Sequence, residues 1–364
     1  MADTPTRLRM RKLYPLCVLG LASTVALTST VALAGNPDRQ GEAGAYELLL
    51  NPFARSAGLG SMNTAFVGGV EAMRLNVAGV GRVSGLEVSA SHMQYLTGTD
   101  IGMTSAGFAA PLANGQALSL EIAALSFGEI PVTTTNNPEG TGSNFNPSFF
   151  HIGLGYSKTF EEKISVGVGL RFISQSIFNA SAFGFSIDAG VQYVSGEDDE
   201  FKLGISLRNV GLSMRYRGDG IAQQLEAQTG GYELTVENRV ADFDLPFQLN
   251  IGASYDIDVD DDNRITLLGN FASNAFTRDN LGAGIEYGFR ELFQIRGGYY
   301  PEVGPSNDNI GDSVQLPITG GATVQVPLSR PNDVGKRRYL FVDYGYRATR
   351  VFDGNHHLGL RLLL

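Results

Sequence analysis

The chain has 364 residues, a formal net charge of −10 and a single cysteine. An acidic chain without a basic block excludes broad nucleic-acid binding, which needs a basic face, and one cysteine excludes a disulfide framework. The 46 glycines, 21 phenylalanines and 14 tyrosines favour many β-strands joined by tight turns over a helical bundle.

Residues 1–34 have the pattern of a cleaved export signal. Basic residues between positions 7 and 12 precede a mostly apolar stretch, 13–33, which ends in the A-x-A cleavage pattern at 32–34. An uncleaved membrane anchor is the alternative, but Pro15 and several serines and threonines weaken it. We expect cleavage after Ala34. Cys17 would leave with the signal, so the mature protein would have no cysteine nucleophile and no thiolate metal ligand.

Residues 35–82 form a segment rich in glycine and other small residues. Its main part, "NPFARSAGLGSMNTAFVGGVEAMRLNVAGVG", covers positions 51–81. A phosphate-binding loop is excluded, because "GLGSMN" has no Lys-Ser/Thr ending and follows no strand–helix pattern. The periodicity of the segment is weak, so its role has to be inferred from the sequence that follows it.

From about residue 85, apolar and polar residues alternate with period two, which is the pattern of half-buried strands. In "KISVGVGLRF", Ile164, Val166 and Val168 share one face with Leu170 and Phe172. Most segments are near the ~9–11 residues that a tilted strand needs to cross a bilayer. There are fourteen such segments, and they begin near residues 86, 103, 115, 148, 163, 181, 200, 245, 263, 280, 291, 316, 336 and 355.

The connections alternate between tight turns and long links at 127–147, 210–244 and 301–315. Short turns on one side and long loops on the other are typical of outer-membrane barrels. A soluble β-sandwich is the competing fold, but it does not need an apolar outward face on every strand. The apolar last strand, "HHLGLRLLL", ends at the chain terminus, where a soluble protein rarely leaves an open edge. We therefore predict an all-β, transmembrane antiparallel β-barrel of 14 strands over residues 83–364.

The inward-facing charges predicted from this register are nearly balanced, and they include Arg171, Asp188, Arg296 and Asp343. A selective pore tends to show a ring of one sign, so a balanced set predicts ion pairs inside a mostly filled lumen. We expect the small-residue segment to fill it, with residues 35–82 forming an N-terminal periplasmic segment and a hatch. Glycine allows close backbone packing against the inner wall. The hatch side chains expected to bond to the lumen are Asn51, Arg55, Asn63 and Asn76.

The hatch sequence resembles the N-terminal signature of the PorV/PorQ-like outer-membrane proteins, relatives of the fatty-acid-transporter type of barrel. The shared elements are Arg-Ser at 55–56, Gly-Leu-Gly at 58–60 and Asn-Val-Ala-Gly at 76–79, where Val77 replaces the usual proline. The resemblance implies a non-enzymatic role in type IX protein secretion in the outer membrane of a Gram-negative bacterium of the Bacteroidota or a related phylum. The implied partners are the translocon barrel, cargo C-terminal signal domains or attachment-complex proteins, together with outer-membrane lipid.

Two other functions remain open beside this one: a channel for hydrophobic small molecules, like the fatty-acid transporters, and a purely structural barrel. Partner docking would use apolar residues on the long loops. The candidates are Pro131, Phe145, Met214, Tyr216, Arg217 and Tyr232. Simple loop packing is the alternative for Tyr216 and Arg217.

We expect no catalytic residue, no metal site and no cofactor. The acidic turn "DVDDDN" at 258–263 lacks the central glycine and distal glutamate of an EF-hand, so a solvated turn is the simpler interpretation. The four histidines are scattered without a ligand spacing. The chain has no Gly-x-Ser-x-Gly elbow, and no acid pair or triad stands out.

Overall fold

The computed structural model describes residues 39, 41–226, 233–304, 313–328 and 338–364. The predicted export signal, 1–34, therefore lies outside the described residues. Within them, fourteen strands form one antiparallel barrel, and each begins within three residues of its predicted start. The strands are β1 Glu87–Gln94, β2 Gly102–Pro111, β3 Gln116–Ser126, β4 Ser148–Phe160, β5 Ile164–Ile177, β6 Ala180–Ser195, β7 Phe201–Gly211, β8 Gln248–Asp260, β9 Asn263–Asn274, β10 Asp279–Phe289, β11 Phe293–Tyr299, β12 Gln315–Pro327, β13 Tyr339–Thr349 and β14 Asn355–Leu363.

The barrel closes between its first and last strands. β1 pairs with β14 in antiparallel register, with Glu87 opposite Leu363 and Gln94 opposite His356. Every other barrel strand pairs with its neighbours in sequence, so the apolar last strand has no free edge. A two-residue strand, Glu302–Val303, adds to the start of β10. The prediction of a closed 14-stranded barrel is confirmed.

The two faces of the wall have opposite polarity. Along β5, Val168, Leu170 and Phe172 are about half exposed on the outside, whereas Arg171 is 1% exposed on the inside. The same alternation of exposed apolar and buried polar residues recurs along β6 and β14. An apolar exterior around a polar interior suits lipid and would be unstable in water, which excludes the soluble sandwich.

The two ends of the barrel differ in their connections. One end, called the turn end, has the short links 112–115, 161–163, 196–200, 261–262 and 290–292, and it also holds the start of β1 and the end of β14. The other, called the loop end, has the links 127–147 and 212–247, each with a short strand pair of its own. No helix among the described residues is long and apolar enough to cross a membrane.

The apolar exterior predicts that a charged side chain placed on it lowers stability more at the middle of the membrane than near the membrane surface. Leu170 lies in the middle of β5 and Ile164 at its turn end, and both side chains face outward. We expect Leu170→Arg to lower the free energy of unfolding in lipid vesicles by about 2–4 kcal/mol, and the control Ile164→Arg by about 0–1 kcal/mol. Denaturant titration of the folded barrel measures both. Equal costs at the two positions would contradict a bilayer around this face.

Residues 51–82, called the plug below, lie inside the barrel. All residues from 51 to 80 are buried or half-buried. The helical turn Ala54–Ala57 packs against β12, β13, β14 and β1, and the 3-10 turn Gly69–Arg74 packs against β1 to β3. The 3-10 turn Val77–Arg82 packs against β4, β5 and β6. The plug therefore touches the wall on opposite sides of the lumen.

Candidate functional site: the plugged lumen

Polar anchors fix one side of the plug to the wall. The Asn76 side chain accepts a hydrogen bond from the Ala78 amide at 3.2 Å, which caps the turn Val77–Arg82. Its Nδ2 donates to the carbonyls of Thr64 and of Val191 on β6, both at 3.1 Å. Gln192 of β6 donates to the carbonyls of Thr64 and Val67 at 3.1 and 2.9 Å. The capped turn Val77–Arg82 thus forms although Val77 replaces the proline that is usual at this position of the PorV/PorQ-like signature.

A buried ion pair adds a second anchor. Arg74 of the plug donates through Nε to Glu121 of β3 at 2.5 Å, and both side chains are almost fully buried. Arg171 of β5 donates to the Met73 carbonyl at 2.7 Å while it pairs with Asp188 of β6 at 3.0 Å. Of these two pairs, only Arg74–Glu121 joins the plug to the wall, and removing either partner would leave an uncompensated buried charge, which is strongly destabilising.

The opposite side of the plug rests on glycines. A Cβ atom at Gly321 of β12 would lie 3.0 Å from the Cα of Gly58, and one at Gly345 of β13 would lie 2.4 Å from the carbonyl oxygen of Ala54. At Gly359 of β14 it would lie 3.4 Å from the Cβ of Ala54. Three neighbouring strands therefore bring the plug backbone directly onto the wall. We call Gly321, Gly345 and Gly359 the glycine seat.

The other predicted plug residues differ in what they contact. Asn51 caps its own turn by accepting from the Phe53 amide at 3.1 Å, and its Nδ2 donates to Ser61. Asn63 donates to Ser56 and to Glu71 within the plug. Only Arg55 faces a charged wall group, Glu286 of β10, at 3.7 Å. Asn51 and Asn63 thus bond to the plug itself and Arg55 approaches the wall, as Asn76 does.

Two further ion pairs involve predicted wall residues. Arg296 of β11 pairs with Glu286 of β10 at 2.9 Å, its direct cross-strand neighbour. Asp343 of β13 pairs with Arg361 of β14 at 2.8 Å and accepts a short hydrogen bond from Thr323 of β12. These pairs lie toward the turn end of the lumen, beside Arg55.

Sequence patterns did not single out the charged plug residues Glu71 and Arg74 or the polar group around Glu47. Glu71 accepts hydrogen bonds from Ser56 and Asn63, and so ties the two halves of the plug together. Glu47 accepts from Gln175 of β5 at 2.6 Å and lies 3.5 Å from His151 of β4. Their charge was a signal that could have identified them. Charged residues are almost never fully buried unless they are paired, so a charge within a segment of small and apolar residues indicates a buried partner.

The predicted partner-docking residues lie in different surroundings. Pro131 and Arg217 are exposed, and Phe145 is half-buried with its ring edge-on to Phe178. Met214 is only 1% exposed and packs in a cluster with Leu48 and Ile173, which leaves it no surface to offer a partner. Tyr232 lies outside the described residues.

Tyr216 belongs to the inner side of its loop. Its hydroxyl donates to Gln175 of β5 at 2.7 Å, and its ring packs on Phe243. Burial raises the pKa of Tyr216 to about 12, so the hydroxyl remains a donor at any physiological pH. Tyr216 therefore joins the loop to the barrel and is only partly available to a partner.

A cavity of about 380 Å³, the loop-end cavity, lies above the plug. Its floor is formed by Ala57, Gly60 and Ser61 of the plug. One side is apolar, with Leu50 and Met93 continuing into the buried cluster of Met103 and Leu125. The other side carries hydrogen-bonding groups from seven strands, among them Arg208, Asn250, Asn274, Asn280 and Arg347.

Two guanidinium groups, those of Arg208 and Arg347, line the cavity. The Nε atoms of Arg208 and Arg347 are buried and have no hydrogen-bond partner among the described residues. Arg208 uses its terminal nitrogens on Gln248 and on the Leu48 carbonyl. A small molecule with an apolar body and a polar or anionic end matches these two sides of the cavity.

A second cavity of about 660 Å³, the turn-end cavity, lies below the plug. Arg55 is the plug residue that lines it, and Arg361, Gln294 and Gln325 contribute polar groups from the wall. Phe341, Tyr339 and Leu363 give it an apolar side. The two cavities thus offer similar chemistry on opposite faces of the plug.

These features define a transmembrane β-barrel of fourteen strands with an internal plug and a cavity on each side of it. In fold, the chain is similar to the toluene transporter TodX of Pseudomonas putida, with 12% identity, a TM-score of 0.50, and coverage of 86% of this chain and 97% of that one. It is also similar to the toluene transporter TbuX of Ralstonia pickettii, at 12% identity and a TM-score of 0.49 over 86% of this chain and 97% of that one. A FadL homologue of Pseudomonas aeruginosa is also similar in fold, with 12% identity and a TM-score of 0.46 over 85% of this chain and 97% of that one.

At such identities the similarity shows the fold alone. No protein-family model and no curated protein matches the chain.

Proposed function

We propose that the protein is an outer-membrane channel for small amphipathic molecules, with its turn end in the periplasm and its loop end outside the cell. The observation that carries this proposal is the loop-end cavity, which opens above the plug between an apolar side and a side rich in amides and guanidinium groups. A concave site with apolar lining and a few placed polar groups is the usual form of a small-molecule site. The toluene transporter TodX, which has the same fold, supports a transport role.

Binding at Arg347 tests this function. Benzenesulfonate and hexanesulfonate are suitable probes, because each joins an apolar body to a permanent negative charge. We expect the purified protein to bind both, and Arg347→Gln to weaken binding about tenfold or more, since a charge-assisted hydrogen bond contributes roughly 1.5–3 kcal/mol. Calorimetric titration in detergent measures the affinity.

Arg215→Gln is the matched control. Arg215 pairs with Asp242 in an exposed part of the 212–247 loop, away from the cavity, so the affinity should not change. If the wild-type protein binds neither sulfonate, the loop-end cavity is not the ligand site and the proposal is wrong.

A second candidate is the type IX secretion role, which rests on the resemblance of residues 55–60 and 76–79 to the PorV/PorQ-like signature. The exposed loop residues Pro131 and Arg217 would then contact cargo signal domains, the translocon or attachment-complex proteins. An affinity pull-down from native outer membranes separates the two candidates. Recovery of a translocon barrel or of cargo with C-terminal signal domains would favour secretion, and recovery of the barrel with a bound amphiphile would favour transport.

A further inference from the structure

The two cavities are separated by a short part of the plug, residues 54–61, called the septum below. Ala57, Gly60 and Ser61 face the loop-end cavity, and Arg55 faces the turn-end cavity. The wall behind the septum is the glycine seat, midway along β12, β13 and β14. The same three strands line the loop-end cavity near one end and the turn-end cavity near the other. The shortest path between the cavities therefore crosses the septum.

Polar bonds to the wall are concentrated elsewhere in the plug. The carbonyls of Thr64, Val67 and Met73 accept from wall side chains, and the Val70 amide donates to Glu87 of β1 at 2.8 Å. Near the end of the plug, Arg82 donates to the carbonyls of Glu162 and Lys163. Residues 64–82 of the plug are thus bound to five strands, β1, β3, β4, β5 and β6, and also to the turn that follows β4.

The septum itself has no comparable attachment, although the Pro52 carbonyl just before it accepts a hydrogen bond from Ser91 of β1 at 2.7 Å. The backbone amides of residues 57–61 donate within the plug. The polar side chains Ser56 and Ser61 bond to Glu71 and Asn51, also within the plug. Among the described residues its one polar contact with the wall is Arg55 with Glu286 at 3.7 Å, and Glu286 already pairs with Arg296 at 2.9 Å. Contact with the glycine seat is between backbones and small groups, so sliding along it breaks no hydrogen bond to the wall.

We propose that the ligand passes from the loop-end cavity through a movable septum into the turn-end cavity, which serves as a second site for the same amphipathic molecule. In that site Arg55 meets the polar or anionic end, and Phe341 and Tyr339 meet the apolar body. Residues 64–82 stay attached to the wall while residues 54–61 move. This route runs along the barrel axis on the β11–β14 side, and it rests on the proposed channel function.

A reversible tether tests the route. A Cβ at Gly359 lies 3.4 Å from the Cβ of Ala54, close to the ~3.5–4.5 Å that a disulfide needs, so Ala54→Cys with Gly359→Cys locks the septum to β14. The matched control, Gly81→Cys with Ser157→Cys, has a Cβ separation of 3.6 Å and tethers the attached part of the plug to β4. Removal of Cys17 with the predicted signal leaves no other cysteine to interfere.

The measurement is release of benzenesulfonate from proteoliposomes that contain the full mature chain, before and after dithiothreitol, with cross-linking checked by mass spectrometry. We expect the oxidised septum tether to slow release at least about tenfold and the reductant to restore it, because a closed gate limits the rate. The control tether should release at the same rate in both states. Unchanged release from a fully cross-linked septum would overturn the route and place the path elsewhere, such as through the wall.

The outcomes for route and channel are distinct. If the wild-type protein binds the sulfonate but the septum tether has no effect, the route is wrong and the channel function stands. If the wild-type protein releases no sulfonate at all, the channel function fails and the route fails with it.

Discussion

Replacing Arg74 by methionine should weaken plug docking by about 3–5 kcal/mol, because Glu121 would be left in a buried position without its charged partner. At most 2% of either side chain is exposed, and the distance from Arg74 Nε to Glu121 Oε1 is 2.5 Å. Ser105 would still donate to Glu121 at 2.9 Å, but a single neutral hydrogen bond does not replace a guanidinium. Native-state hydrogen exchange of the amides in residues 64–82 measures the free energy of plug opening.

Two companion variants make this result specific. Arg82→Met removes hydrogen bonds to two exposed turn carbonyls and should cost no more than about 1 kcal/mol. The double variant Arg74→Met with Glu121→Gln removes both charges, so much of the loss should be recovered. A loss below about 1 kcal/mol in Arg74→Met would show that the ion pair does not anchor the plug.

Adding a side chain to an inward glycine should expel the plug from the lumen. A Cβ at Gly167 of β5 would lie 2.5 Å from the Ala78 amide nitrogen, and one at Gly204 of β7 would lie 2.3 Å from the Thr64 carbonyl oxygen. These neighbours are backbone atoms and cannot rotate away. Overpacking costs about 1–3 kcal/mol even in cores that can adjust, so Gly167→Val and Gly204→Val should both shift the plug out of place.

The expected readout is a rise in ion conductance across planar bilayers, since a barrel of this size without its plug leaves an aqueous lumen.

Gly320→Val is the control, because the nearest atom to a Cβ built at Gly320 is 3.7 Å away. It sits next to Gly321 of the glycine seat but on the outer face of β12, so conductance should stay low. If Gly167→Val and Gly204→Val conduct no more than this control, the plug does not close the lumen. Heat-modifiable migration on gels shows whether each barrel still folds.

The secretion and transport candidates make different demands on the same plug. A docking role needs only a rigid barrel and its loops, so a locked septum should leave it intact. A transport role requires the septum to move. The septum tether therefore also informs the choice between them, since a tethered protein that still supports secretion in cells would favour docking.

The strand number, the approximate starts of the strands and the assignment of residues to the two faces followed from the sequence by itself. Alternation with period two and turn residues at short intervals are local properties, and a lipid-facing wall requires the alternation on every strand. The balance of inward charges also predicted a filled lumen. For Glu286 and Arg296, which are cross-strand neighbours, register alone was enough to bring the partners together.

The position of the plug was decided only by the tertiary structure. Arg74 pairs with Glu121 across 47 positions, and Gly321 meets Gly58 across a far larger separation, so no local pattern connects them. Inside a closed barrel every strand presents a polar wall to the same lumen, and the sequence of a small-residue segment does not indicate which strands it will contact. Which glycines form a seat, which side of the plug is anchored and where two cavities remain depend on packing among residues distant in sequence.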